Sequence, residues 1–70
     1  MKLTKYMNDR GLVASHVAKK MGTSRQYLDQ YGVVNRSPTL RTLTRIAEAM
    51  TDLGAPTTVH DLSTALLKED

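Results

Sequence analysis

The sequence predicts an all-α fold, a compact domain of five short helices that spans residues 1–70. Apolar residues recur at intervals of three and four along five separate segments, and no stretch alternates as a strand does. A chain of 70 residues makes one domain with a small core. It contains no cysteine, which excludes a disulfide framework and a thiolate metal site.

Glycines separate the first three predicted helices. These helices cover residues 2–10, 14–21 and 24–31. Gly11 and Gly22 each stand directly after one of these helices, where a left-handed residue commonly ends a helix. Ser24 is a good N-cap for the third helix, because its hydroxyl can accept a hydrogen bond from the N–H groups of the first turn.

Hydroxyl residues mark the starts of the last two predicted helices, which cover residues 38–53 and 57–68. Ser37 followed by Pro38 offers a cap and then a proline at the first helical position, where no N–H is needed. Thr57 or Thr58 can cap the fifth helix, and Thr58 with Asp61 has the spacing of a capping box.

Charge is divided unevenly along the chain. Residues 1–46 carry nine lysines and arginines against two aspartates, a net of +7, whereas residues 47–70 carry one lysine against five acidic residues, a net of −4. Residues 1–46, called the basic front below, carry the positive charge that favours a polyanion as binding partner. The alternative is that these charges only solvate the faces of the helices.

The polar side chains of the third predicted helix share one sector. With Arg25 at zero, Gln26 falls at about 100° and Gln30 at about 140°, and the apolar residues fall opposite. Arginine can bind guanine, and glutamine adenine, through two hydrogen bonds in the major groove of DNA. We therefore expect these three residues to contact bases, the alternative being a solvated face. Tyr27 lies at the border, where core packing and a contact with DNA both stay open.

One run of the chain matches a known motif without a gap. Its apolar, small and glycine positions are occupied by Val17, Ala18, Met21, Gly22, Leu28 and Tyr31, and the segment SPTLRTLTRIAEAM follows as a fourth helix. On these positions, residues 12–50 resemble the Cro/repressor-type helix-turn-helix family, also called the XRE family. The resemblance implies a five-helix Cro/repressor-like fold whose helix-turn-helix core is residues 14–31.

The resemblance also implies roles for single residues. It implies that Arg25, Gln26 and Gln30 lie where the family contacts bases. Ser15 lies where the family contacts a phosphate. Asn35 and Arg36 lie where the family contacts the sugar-phosphate backbone. We expect Ser24 and Arg41 to contact the backbone as well. For Arg41, simple exposure to solvent is the alternative.

The resemblance implies a sequence-specific DNA-binding transcriptional regulator, a small phage or mobile-element repressor. Because one recognition helix reads only a few base pairs, we expect a homodimer on an inverted-repeat operator in double-stranded DNA. Val59, Leu62 and Leu66 exceed what so small a core requires, so residues 57–68 are the expected dimerisation helix. The alternative is an antitoxin-type protein-interaction module that neutralises a partner and autoregulates its operon.

Enzymatic functions have little support in the sequence. There is no nucleophile with a base and an orienting partner, no metal cluster and no glycine-rich phosphate loop. We expect no catalytic residue, no metal, no cofactor and no small-molecule ligand. No apolar run approaches the roughly 18 residues that span a bilayer, and no signal peptide is evident. We therefore expect a cytoplasmic protein without a membrane partner.

Overall fold

Residues 1–31 and 38–67 are described by the computed structural model, and five helices lie within them. The helices are α1 (Leu3–Asp9), α2 (Ala14–Met21), α3 (Arg25–Asp29), α4 (Leu40–Asp52) and α5 (Val59–Leu67). They pack into a domain of 26 × 23 × 22 Å. In the described ranges there is no strand, although the N–H of Leu3 donates to the carbonyl of Tyr31 at 3.2 Å. The predicted all-α class is confirmed, as are the number and order of the helices.

The start of α4 differs from the prediction. Its N-cap is Thr39, whose hydroxyl accepts a hydrogen bond from the N–H of Thr42 at 3.2 Å. Thr39 is extended, with φ −70° and ψ 164°, so the helix begins at Leu40 and Pro38 precedes it. The predicted cap, Ser37, lies outside the described residues. Two hydroxyl residues flank the proline, and the second of them has the capping geometry.

The capping box predicted for α5 is confirmed. The N–H of Asp61 donates to the hydroxyl of Thr58 at 3.0 Å, and the N–H of Thr58 donates to the Asp61 carboxylate at 3.4 Å. This reciprocal pair satisfies two N–H groups that the first turn leaves without helical partners. α5 therefore begins at Val59, two residues after the predicted boundary.

The core lies where the five helices meet. Its fully buried large side chains come from every helix and are Leu3, Met7, Val17, Leu28, Ile46, Met50 and Leu62. Burying one such side chain stabilises the fold by about 1.5–3 kcal/mol relative to leaving it exposed. No described helix is long and apolar enough to cross a bilayer.

The apolar face of α5 belongs to this core, which corrects the expected dimer contact. Leu62 is fully buried, Leu66 is 6% exposed, and Val59 packs half-buried against the same cluster. The three residues do not exceed the needs of the core, because α5 covers α4 and α1 with this face. The exposed apolar side chain of α5 is Leu67, at 75%.

The turn between α2 and α3 fixes how these two helices meet. Gly22 is left-handed, with φ 76°, and the N–H of Thr23 returns to the carbonyl of Ala18 at 2.9 Å. Ser24 then caps α3 by accepting from the N–H of Tyr27 at 3.2 Å. A glycine is suited to this position because left-handed backbone costs it little.

Gly22→Ala should lower the free energy of unfolding by about 1–2 kcal/mol, the cost of a left-handed L-residue. The added Cβ would meet nothing within 4 Å, so the loss comes from backbone conformation and not from a clash. Gly22→Asn is the matched control, because asparagine adopts this conformation more readily and should lose less. Urea unfolding followed by circular dichroism measures both variants. Equal losses in the two variants would contradict the conformational explanation.

Candidate nucleic-acid interface

α3 has one exposed and one buried side, as the sequence predicts. Arg25 and Gln26 are exposed and Gln30 is half-buried, whereas Leu28 on the other side is fully buried. Leu28 therefore anchors the helix in the core. Tyr31, just beyond α3, is 6% exposed and extends this anchor. This packing fixes the position of Arg25, Gln26 and Gln30, called the polar edge of α3 below, on the surface of the domain.

The polar edge of α3 is not used for internal bonding. Within residues 1–31 and 38–67, the side chains of Arg25, Gln26 and Gln30 form no hydrogen bond or ion pair with another residue. An arginine offers five N–H donors, and a glutamine offers two donors and an acceptor. This edge thus presents both donors and acceptors to a ligand.

A surface groove of about 440 Å³ joins the starts of α2 and α3 to one side of α1. Ser15 and Arg25, which the sequence analysis placed in one interface, both line this groove. Its other polar lining residues are Thr4, Lys5 and Asn8. These three were not among the residues expected to contact DNA. Their spacing in α1 was the signal available, since it gives that helix a polar side next to its buried Leu3 and Met7.

The N-terminus of α2, whose first turn contains Ser15, has no side-chain cap. Val13 occupies the N-cap position, and its apolar side chain cannot accept a hydrogen bond from the N–H groups of the first turn. Ser15 is exposed in that first turn. The N–H groups and the dipole of a helix start favour a negative charge, which adds to the electropositive character of the groove.

Tyr27 is held against the core and against Tyr31. The Tyr31 hydroxyl donates to the Tyr27 hydroxyl at 3.0 Å, and the two rings form a T-shaped pair with centroids 5.5 Å apart. Tyr27 is half-buried and packs on the core cluster. These contacts favour the packing alternative for Tyr27 over a contact with a base.

The expected backbone-contacting residues are dispersed. Ser24 is exposed, and its hydroxyl already accepts from the N–H of Tyr27, which leaves its own hydrogen to donate. Arg41 is exposed in the first turn of α4 but does not line the groove of Ser15 and Arg25. Asn35 and Arg36 lie outside the described residues.

Several cations of the basic front are engaged within the fold. The Arg10 guanidinium donates to the carbonyl of Pro56 at 2.7 Å, and that of Arg45 donates to the carbonyl of Met21 at 3.2 Å. Lys20 lies 4.0 Å from an aspartate of α4. These three side chains link helices and loops to one another, so the cationic surface around α3 is smaller than the count of charges indicates.

Comparison with protein-family models, with curated proteins and with solved structures finds no match to this chain. The features of the chain that indicate a function are the polar edge of α3 and the groove beside it.

Proposed function

We propose that this protein is a sequence-specific regulator that binds double-stranded DNA, a small repressor of the Cro/repressor helix-turn-helix type. The observation that carries the proposal is the polar edge of α3, where the exposed Arg25 and Gln26 and the half-buried C-cap residue Gln30 have no other partner in the described ranges. Their donors and acceptors match the edges of guanine and adenine in the major groove.

The packing of α3 supports this use. The helix has five residues and is held at its start by the Ser24 cap and on its inner side by Leu28. A short helix fixed in this way can enter the major groove without first becoming ordered, so little of the binding energy is lost. In the proposed complex, the first residues of α3 meet the bases, and Ser15 at the start of α2 meets a phosphate.

The distribution of charge agrees with this orientation. Glu48 and Asp52 are exposed on α4, and Asp61 is exposed on α5, whereas none of the three lines the groove beside α3. Phosphates attract the cationic groove and repel carboxylates. The protein is therefore expected to bind with α3 toward the duplex and with these carboxylates away from it.

A homodimer remains part of the proposal, although not through the contact first expected. One α3 reads only a few base pairs, so useful specificity needs two copies on half-sites about one helical turn apart. Leu62 and Leu66 cannot supply the contact while they fill the core of each copy.

Selection from a random-sequence duplex library at near-physiological salt tests the proposal. Enrichment of an inverted repeat is expected, because each half-site would bind one copy of α3. Weak binding without any enriched sequence would overturn the proposal and direct attention to protein partners.

Asp29→Asn should strengthen binding to random-sequence duplex by about two- to fivefold, the size of an exposed charge interaction of about 0.5–1 kcal/mol. Asp29 is exposed one turn after Arg25 and forms no ion pair with it. Its carboxylate is thus close to where phosphates would lie. Fluorescence anisotropy with a labelled duplex measures the change. Glu48→Gln removes the same charge on α4 and should change affinity less, so an equal gain in both variants would place Asp29 away from the DNA.

A further inference from the structure

We propose that α1 is part of the DNA contact, and that its Thr4, Lys5 and Asn8 bind one phosphodiester of the duplex in the groove shared with Ser15 and Arg25. The inference rests on the proposed function and deepens it. It assigns a binding role to a helix for which the sequence offered only a structural one.

The three residues occupy one side of α1. At 100° per residue, Thr4, Lys5 and Asn8 fall within a sector of about 100°. The buried residues Leu3 and Met7 fall in the neighbouring sector and hold the helix in the core. The polar sector is therefore fixed in direction, and its three residues line the same groove as Arg25.

The groove has the chemistry that a phosphodiester needs. Lys5 and Arg25 supply positive charge, and Thr4, Asn8 and Ser15 supply neutral donors. The described residues that line it include no aspartate or glutamate. Side chains of these types make most contacts with DNA phosphates.

The size and the apolar part of the groove fit the sugar next to that phosphate. A volume of about 440 Å³ is within the range of sites that hold small ligands. Leu12, Val13 and Ala14 complete the lining, and Val13 is 53% exposed although it is apolar. Its methyl groups can pack on the carbons of a deoxyribose. A free anion such as inorganic phosphate would leave this apolar wall in water.

A phosphate held here would set the register of α3. Arg25 lies in the same groove as the α1 residues, so the position of that phosphate fixes how far the guanidinium reaches toward the bases. Contacts with phosphate orient a protein on the duplex without distinguishing sequences. Loss of the α1 contact should therefore weaken binding to all sequences alike.

The test compares the DNA affinity of Lys5→Gln and Asn8→Ala with that of Lys20→Gln. Fluorescence anisotropy measures each affinity at a series of salt concentrations, on the selected duplex and on a random-sequence duplex. Lys20→Gln removes the same charge as Lys5→Gln, but outside the groove. Lys5→Gln should lower the slope of log K against log salt by about 1 for each bound copy of the protein, on both duplexes. Asn8→Ala should weaken binding by about tenfold or more with an unchanged slope, since it removes a neutral donor to a charged group. Thermal unfolding checks that each variant is folded.

Neutral methylphosphonates, placed one at a time along the selected duplex, locate the contact. At one position in each half-site, the replacement should weaken binding by the wild-type protein. Binding by Lys5→Gln should change little at that position. If Asn8→Ala binds as tightly as the wild type and Lys5→Gln matches Lys20→Gln, the α1 contact is refuted while the proposed function stands. If the wild-type protein binds neither duplex, both fail.

Discussion

Leu62→Ala should lower the free energy of unfolding by about 2–5 kcal/mol, because it removes buried methyl groups and leaves a cavity. Leu62 is fully buried among residues of the core cluster. For a domain of 70 residues the whole stability is about 4–10 kcal/mol, so the variant should lose a large fraction of it. Urea unfolding followed by circular dichroism, repeated over a hundredfold range of protein concentration, measures the loss.

Leu67→Ala is the matched control on the same helix. Leu67 is 75% exposed, so its truncation should change the stability of a monomer by less than about 0.5 kcal/mol. The range of concentrations separates the two roles that α5 could have. If Leu62→Ala kept the wild-type stability and only shifted a monomer–dimer equilibrium, Leu62 would be an interface residue and its assignment to the core would be wrong.

The expected role of Leu62 differs from its buried place in the structure for a physical reason. A stripe of apolar residues at helical spacing shows that one face of a helix must leave water, but it does not show against what. Packing on the core of the same chain and packing on a second copy bury the same kind of surface. Only the arrangement of α1, α4 and α5 decides between them, and that arrangement depends on contacts between distant parts of the chain.

The features that sequence analysis did predict are local ones. The left-handed residues Gly11 and Gly22 and the capping box of Thr58 with Asp61 each depend on a few neighbouring residues, and the structure contains all of them. The exposed edge of α3 follows from periodicity within a single helix. These are the parts of the fold and of the candidate site that need no knowledge of tertiary structure.

The groove beside α3 could not be predicted in the same way. Asn8 and Ser15 lie in different helices, and Arg25 lies in a third, so only the packing of α1, α2 and α3 brings them together. The same applies to Arg10, which was counted with the basic front. Its guanidinium instead donates to the carbonyl of Pro56, 46 residues away in sequence. Charge counts alone do not distinguish cations that face a ligand from cations that join parts of the fold.

Arg25→Ala should weaken binding to the selected operator by about 1–3 kcal/mol per half-site, the discrimination that one bidentate contact with guanine provides. Binding to random duplex should fall much less, because only the charge is lost there. Competition among duplexes that carry each of the four base pairs at every position measures both effects. Preference should be relaxed at one position of each half-site and retained at the others, where Gln26 and Gln30 are expected to act.

Two matched variants distinguish recognition of a base by Arg25 from electrostatic attraction of its charge to the DNA. Arg25→Lys keeps the charge but loses the planar pair of donors, so it should retain the salt dependence of the wild type and lose much of the preference at that position. Arg41→Ala removes an exposed arginine outside the groove and should leave sequence preference unchanged. Preference that survives in both Arg25 variants would mean that Arg25 serves only as a positive charge. The reading of sequence would then have to come from Gln26, from Gln30 or from another part of the surface, because Arg25 is the one cation on the polar edge of α3.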